Sequence, residues 1–364
     1  MIQQPIDQQR AKEFAGKLLG IYTGCALTKL IDVGHQTGLF DAAGKASSTS
    51  HELAERAGLN ERYVREWLGA MTTAGIFTYD PTSHAYSLPP EHAALLCGDT
   101  ARNLAPMSHM LNVFGRNLPQ LVECFRFGGG IPYSEFSGFA RSMEDVWRRI
   151  YDQHLIGDFL PAAAGLPERL QAGIRVADIG CGAGHAVNVM AREYHRSTFT
   201  GFDISAEAIE RAAAEARDMG LANARFEVLD AAQLPPAPQF DLIVAFDAIH
   251  DQVAPATVLR GVGDALAPRG TFLMIDFKFS SNVEENVGNP FAPLYYGISV
   301  MHCMTVSLAE GGAGLGTMWG IQVARRMLNE AGFTQVEIVD SPRPQNCIFV
   351  CRKEDSSGKE KAMA

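Results

Sequence analysis

Apolar residues recur at helical spacing through 10–40 (Phe14, Leu18, Leu19, Tyr22, Ala26, Leu27, Leu30 and Ile31), predicting an amphipathic helical segment that ends at Thr37-Gly-Leu-Phe40. Ser48-Thr-Ser50 offers an N-cap for a short helix through Glu52-Leu-Ala-Glu-Arg-Ala57, stopped by Gly58. Asn60 caps another from Glu61 to Ala74, stopped by Gly75. Ile76–Tyr79 and Ala85–Leu88 then read as two short strands around the turn Asp80-Pro-Thr-Ser83. Helix, helix, helix and hairpin predict a winged-helix module. Residues 100–170 read as helical, interrupted at Gly128-Gly-Gly-Ile-Pro132. They carry Phe114, Phe125, Phe127, Tyr133, Phe136, Phe139, Trp147 and Tyr151, a density that suits either a core or the wall of an apolar pocket.

From 172 the pattern becomes a regular alternation of apolar runs (174–179, 199–203, 224–229, 240–246 and 271–277) with helical stretches between them. Two last runs, Thr334–Val339 and Asn346–Cys351, lie too close for a crossover helix and must pair as an antiparallel hairpin. The predicted fold class is α/β: a seven-stranded Rossmann-like sheet with an antiparallel C-terminal hairpin, preceded by a mostly α winged-helix domain. The expected organisation is a winged-helix and dimerisation domain over 1–100, a helical substrate-covering and linker region over 101–171, and a cofactor domain over 172–353. A disordered tail over 354–364 is expected from Asp355-Ser-Ser-Gly-Lys-Glu-Lys.

The first run of the alternating region leads through Asp178 into Gly180, Gly182 and Gly184 and then into a helix, the arrangement of a nucleoside-cofactor crevice at the end of a parallel strand. A dinucleotide site needs a third glycine at 185, and His185 stands there. A carboxylate at Asp178 would repel a pyrophosphate but favour the ammonium and sulfonium of S-adenosylmethionine (SAM). The glycines are read as letting the backbone pass close to that ligand. Asp203, ending the second run, can accept both ribose hydroxyls, and Asp230, after Arg225–Leu229, can take an adenine amino group. The expected cofactor set is Asp178, Gly180, Gly182, Gly184, Asp203, Ile204, Asp230, Ala231 and Phe246. A parallel sheet ending in an antiparallel hairpin also resembles the fold of SAM methyltransferases, a resemblance that implies S-adenosylhomocysteine as product.

Composition narrows the partners. The 364 residues are 47% hydrophobic and 20% charged, with a formal net charge of −10, which disfavours nucleic acid or an anionic membrane. Across 48–100 seven acids face three arginines, the wrong sign for a phosphate-facing winged helix. No run of about 18 apolar residues predicts a membrane span, and the N-terminus does not read as a signal peptide. Seven scattered cysteines suggest reduced thiols and a cytoplasmic protein. Cys347 and Cys351 share one strand face, and His302-Cys303 is too sparse for a metal site; none is expected.

The fourth run continues Phe246-Asp-Ala-Ile-His250-Asp251, placing His250 where a methyl acceptor would lie. Methyl transfer depends on holding acceptor and sulfonium in line, and an imidazole with an ordinary pKa of about 6.5 suits removal of a hydroxyl proton. The other reading of His250 is a histidine tied to backbone at a strand end. The stretch 278–320 is long for a connection and rich in Phe279, Phe291, Tyr295, Tyr296, Met301, Met304 and Trp319. It reads as an acceptor-pocket insertion or as a loop packed on itself, with Gly311–Gly316 as a possible hinge. The expected acceptor-binding residues are Trp147, Tyr151, Tyr295, Met301 and Trp319.

The glycine loop, Asp203, Asp230, His250-Asp251, the Ala265-Leu-Ala-Pro-Arg-Gly270 turn and Glu330-Ala-Gly-Phe333 together resemble class I SAM-dependent methyltransferases. More narrowly, they resemble small-molecule O-methyltransferases with an N-terminal winged-helix dimerisation domain, and uncharacterised bacterial methyltransferases that share Leu315-Gly-Thr-Met-Trp-Gly320. The resemblance covers roughly 25–353. It implies a homodimer and a small hydrophobic acceptor, with His250 as catalytic base. It places an orienting acid six residues after Gly270, at Asp276, where the plant-type enzymes have glutamate. Their second glutamate, expected near Gly316–Trp319, is absent, and Gln252 replaces the tryptophan after His-Asp. Two other readings share the scaffold: a SAM-binding winged-helix regulator acting on DNA, and methylation at carbon or nitrogen.

Overall fold

The computed structural model describes residues 6–136, 138–237 and 239–353; the expected tail, 354–364, lies outside them. The chain divides into two compact units after Val113. In the first, Asp7 caps a long helix, Gln8–Gln36, by accepting from the Gln9 and Arg10 amides. Thr49 and Glu52 form a reciprocal capping box on Ser50–Ala57, and Asn60 caps Glu61–Thr73. The wing follows as β1 (Thr78–Asp80) and β2 (Ala85–Ser87), paired antiparallel. The unit closes on Phe40, Leu53, Val64, Trp67, Leu68, Met71 and Phe77, with Leu27, Leu30 and Ile31 of the long helix packed on that core. Trp67 also donates to the Leu30 carbonyl at 2.8 Å. The first half of the long helix leaves Phe14, Leu19, Ile21 and Tyr22 exposed.

The second unit opens with the helices Leu118–Phe127 and Phe139–Ile150; the latter widens into a π-helix, Tyr151–Phe159, and Leu166–Ala172 follows. The sheet comprises β3 (Arg175–Ile179), β4 (Thr198–Asp203), β5 (Ala224–Val228), β6 (Phe240–Phe246), β7 (Leu266–Phe277), β8 (Gln335–Asp340) and β9 (Asn346–Arg352). Its order is β5-β4-β3-β6-β7-β9-β8, parallel from β5 to β7, with β9 antiparallel to both β7 and β8. The central strands are buried on both faces, which is why they read as unbroken apolar runs. Cys347 and Cys351 both lie in the core.

Two expectations change here. The 265–270 stretch is not a free turn. Leu266 pairs with Phe240 and Thr271 with Leu242, so 267–270 bulge out of β7 between two ladder contacts. Pro268, which has no amide to donate, sits within the bulge. The Gly311–Gly316 turn is not a loose hinge either. Gly312 donates to the Ser307 carbonyl (2.9 Å), Ala313 to Val253 (3.0 Å) and Gly316 to His250 (3.0 Å). A Cβ on Gly316 would lie 2.0 Å from Ser299 Oγ. Gly312, Gly314 and Gly316 are required by close packing, and the turn is a strap across the end of β6. No helix among the described residues is long and apolar enough to cross a membrane.

Candidate active site

The loop after β3 is built by backbone approach. Gly180 and Cys181 donate to the Phe202 carbonyl at 2.9 and 3.0 Å, and Gly182 donates to Asp203 Oδ2 at 2.8 Å. Gly180, Gly182 and Gly184 all have positive φ. Packing within the protein also calls for two of them. A Cβ on Gly184 would strike Phe226 (2.4 Å) and Ala212 (2.5 Å), and one on Gly180 would strike Ala248 (2.8 Å). Only Gly182 faces open space. Asp203 meanwhile accepts from the Ser205 amide at 2.8 Å with its other oxygen, so this carboxylate fixes the loop as well as ending β4.

Asp178 is the outlier. It is 2% exposed, and neither carboxylate oxygen has a hydrogen-bonding partner among the described residues. Burial, with Asp203 nearby adding to it, pushes its carboxyl well above the usual range. An orphaned buried carboxylate costs about 1–3 kcal/mol or more, and a donor-rich cation would relieve it. The ammonium of SAM has that chemistry, so the residues present fit this cofactor. Trp147 stacks on Tyr151 (5.1 Å, 28°), and Tyr151 meets Phe246 edge-on at 5.1 Å. Burial raises the Tyr151 hydroxyl well above its ordinary value, and the charges of Asp178 and Asp247 add to it.

β6 ends at Phe246; Asp247 turns the chain with φ +47°, and His250 sits in the turn that follows rather than on the strand. Its ring is buried, and Nδ1 lies 3.1 and 3.2 Å from the two oxygens of Asp276 on β7. Asp276, 0% exposed, also accepts from Trp319 Nε1 (3.1 Å) and from the Phe277 amide (2.8 Å). A carboxylate only accepts, so Nδ1 carries a proton, and when the ring is neutral Nε2 is left as the acceptor. Burial alone would lower the His250 pKa, but the Asp276 charge and hydrogen bond outweigh it and hold it well above the ordinary value. The Cys303 thiol lies within hydrogen-bonding reach of the same ring. Burial raises Asp247 to about 7, with Asp276 adding to the shift. It raises Asp251 to about 6 against the pull of His250.

Residues 170–332 match a family described as a methyltransferase domain, and residues 25–98 match the Rv2258c-like winged HTH domain. The chain carries a winged-helix domain and a methyltransferase domain. Within the methyltransferase domain the chain is 33% identical over 119 residues to a trans-aconitate 2-methyltransferase of Streptomyces avermitilis, covering 32% of this chain and 44% of that one. It is 30% identical over 114 residues to a fatty-acid O-methyltransferase of Mycolicibacterium smegmatis, covering 31% and 40%. The chain thus spans less than half the length of these relatives. Human N-acetylserotonin methyltransferase, solved with SAM, superposes with a TM-score of 0.67 at 15% identity, over 97% of this chain and 100% of that one. A mitomycin 7-O-methyltransferase does so at 0.69 and 17%, over 95% and 98%. At these identities the likeness is one of fold.

The second unit gathers the expected residues unevenly. Asp178, Phe246, Trp147 and Tyr151 share one group, and His250, Asp276 and Trp319 another. Asp230 is exposed and caps a short 3-10 turn, Ala231–Gln233, through the Ala232 amide; Ala231 is buried beneath it. Ile204 is 72% exposed beside Asp203. Tyr295 is buried against Phe277 (5.0 Å) and Phe279 (5.1 Å), while Met301 is half-buried beside Gly297. Trp319, expected on the acceptor, spends its N–H on Asp276. Several contributors escape a reading of the sequence. Arg343, from the β8–β9 turn, lies 4.8 Å over the Trp147 ring and 4.0 Å from Asp247. His185 bridges Glu215 (2.9 Å) and Asp152 (3.0 Å), and Arg148 joins at Glu215 (2.6 Å). Burial opposes ionisation of Glu215, but these hydrogen bonds and that of Asn188 bring its pKa down to about 2. The substitution of histidine for glycine at 185 was the one visible sign of this network.

Proposed function

We propose that this protein is a SAM-dependent methyltransferase acting on a hydroxyl of a small, largely apolar molecule. The observation that carries the reading is the buried His250–Asp276 pair in a methyltransferase domain whose Asp178 carboxylate is buried without a partner. Asp178 would hold the ammonium of the cofactor, Asp203 its ribose hydroxyls, and Asp230 with Ala231 its adenine. When bound, SAM supplies an electrophilic methyl on a sulfonium. Trp147, Tyr151 and Phe246 would wall that region from water. His250 Nε2 would take the proton of the acceptor hydroxyl while Asp276 holds Nδ1–H and stabilises the imidazolium that forms. Trp319 and the Phe277 amide keep the Asp276 carboxylate in position. A screen of small hydroxylated lipophiles for conversion of SAM to S-adenosylhomocysteine tests the activity. Product analysis that finds the methyl on carbon or nitrogen would move the assignment to that chemistry.

We also propose a cytoplasmic homodimer. Leu118, Val122 and Phe125 form an exposed apolar stripe at helical spacing, with Phe125 75% exposed, and Phe14, Ile21 and Tyr22 form another on the first helix. All seven cysteines are free thiols, in keeping with a reducing compartment. A monomer at micromolar concentration in light scattering would remove the dimer. DNA is not the favoured partner of the wing unit: Arg62 pairs with Glu66 at 2.5 Å and Arg65 with Glu61 at 3.5 Å, on a surface already net acidic.

A further inference from the structure

The His302 side chain does no work in the account above, yet its setting is unusual. It lies in a π-helical stretch, Ser299–Cys303, immediately before the cysteine that touches His250. Single-turn π segments widen a helix and re-aim a side chain, often at functional positions. The ring is 1% exposed, and neither nitrogen has a hydrogen-bonding partner among the described residues. It is caged by aromatic rings: Phe139 at 3.8 Å, Phe136 edge-on at 4.6 Å, Phe114 at 5.4 Å and Tyr133 edge-on at 5.6 Å. Burial, with the charge of His250 adding to it, lowers its pKa to about 3. The ring is therefore neutral at any working pH, with one N–H donor and one acceptor nitrogen, both dry. Neighbouring buried polar groups are matched differently: His250 has Asp276, and Thr305 accepts from the Ile131 amide at 2.9 Å.

Leaving two ring nitrogens buried and unmatched costs more than placing a phenylalanine there would, and the cage already supplies the apolar contacts a phenylalanine would make. A polar ring in that place is accounted for by a ligand that brings its own hydroxyl or carbonyl. Aromatic walls select a planar, π-rich body, and a neutral imidazole selects an uncharged polar group over a carboxylate or an ammonium. We propose that His302 is a specificity-determining residue of the acceptor site. It hydrogen-bonds a second, non-reacting hydroxyl or carbonyl of a planar aromatic acceptor whose reacting hydroxyl lies at His250. This deepens the methyltransferase reading and rests on it.

The test compares two probes, 2-naphthol and 2,7-dihydroxynaphthalene, titrated by their fluorescence into the full-length protein saturated with S-adenosylhomocysteine, so that no turnover occurs. Wild type should bind the diol about tenfold more tightly than the mono-ol. His302→Phe should bind both equally, at the wild-type affinity for the mono-ol. His302→Gln, which keeps a donor and an acceptor, should restore part of the preference. Calorimetric binding of S-adenosylhomocysteine, unchanged in both variants, would show that the fold and cofactor site persist. A wild-type preference that survives in His302→Phe, the absence of any preference in wild type, or no binding of either naphthol would overturn the proposal. Failure of the wild type to bind S-adenosylhomocysteine would instead overturn the cofactor reading, and this proposal with it.

Discussion

The ends of β3 and β7 each bury an aspartate, and the two have opposite surroundings. Asp276 receives three donors from the protein, namely the His250 ring, the Trp319 indole and its neighbour's amide. Asp178 receives none among the described residues. Burial costs both carboxylates their hydration, so the difference lies in what replaces it. At β7 the protein supplies the donors itself, and the carboxylate is a fixed support for the His250 ring, the base of the proposed reaction. At β3 no donor is supplied among the described residues, and in the proposed reading the ammonium of the cofactor takes that place. On the proposed reading, the β7 position serves the acceptor's proton and the β3 position the cofactor, at the same carboxyl edge of the parallel strands.

Changes at the β7 position should have the largest effects. His250→Ala should lower turnover by roughly 10²–10⁴-fold while SAM affinity measured by calorimetry stays intact; an unchanged rate would leave proximity as the whole mechanism. At the β3 position, Asp178→Asn should weaken SAM binding by about 10²-fold or more, since an ion pair with the ammonium is lost. The same variant should make the ligand-free protein more stable in a thermal melt, by about 1–3 kcal/mol. The sign with pH follows from the raised pKa. The folded state holds the Asp178 proton more tightly than the unfolded chain, so ligand-free stability falls as pH rises from about 4 towards the raised value. That slope should flatten in Asp178→Asn, and equal slopes in the two proteins would deny the buried, unpaired state. Trp319→Phe removes one of the three donors from Asp276 and should lower turnover by about tenfold with SAM binding untouched. Gly182→Ala should cost about 1 kcal/mol of stability, because the left-handed backbone is strained while the added methyl meets open space.

The comparison also separates what could be read along the chain from what could not. The Asp178–Gly184 loop, Asp203 and the seven strands were legible because each is a local pattern: an apolar run, then its terminating residue. Asp276 was reachable by counting six residues from Gly270, and the structure places it on the His250 ring. The role of Trp319 was not legible. It lies 43 residues from its partner, and an indole N–H stands near where the related enzymes have an acid. The reason for Gly180 and Gly184 was likewise hidden, since it depends on Ala248, Phe226 and Ala212 arriving from elsewhere in the fold. His302-Cys303 read only as too sparse for a metal site, and its aromatic cage, assembled from residues more than 150 positions upstream, was not visible along the chain.

The claim on which the account turns is that Asp276 holds His250 as the base for an acceptor hydroxyl. The most direct test is the pH dependence of kcat/KM in wild type and in Asp276→Asn, using any acceptor found by the SAM-conversion screen. The base acts only when unprotonated, and Asp276 raises its pKa. Wild-type activity should therefore climb along a limb centred above the ordinary histidine value of about 6.5. In Asp276→Asn the limb should move to lower pH as the plateau falls. A wild-type profile with no such limb, or a limb that stays in place when Asp276 loses its charge, would contradict the account.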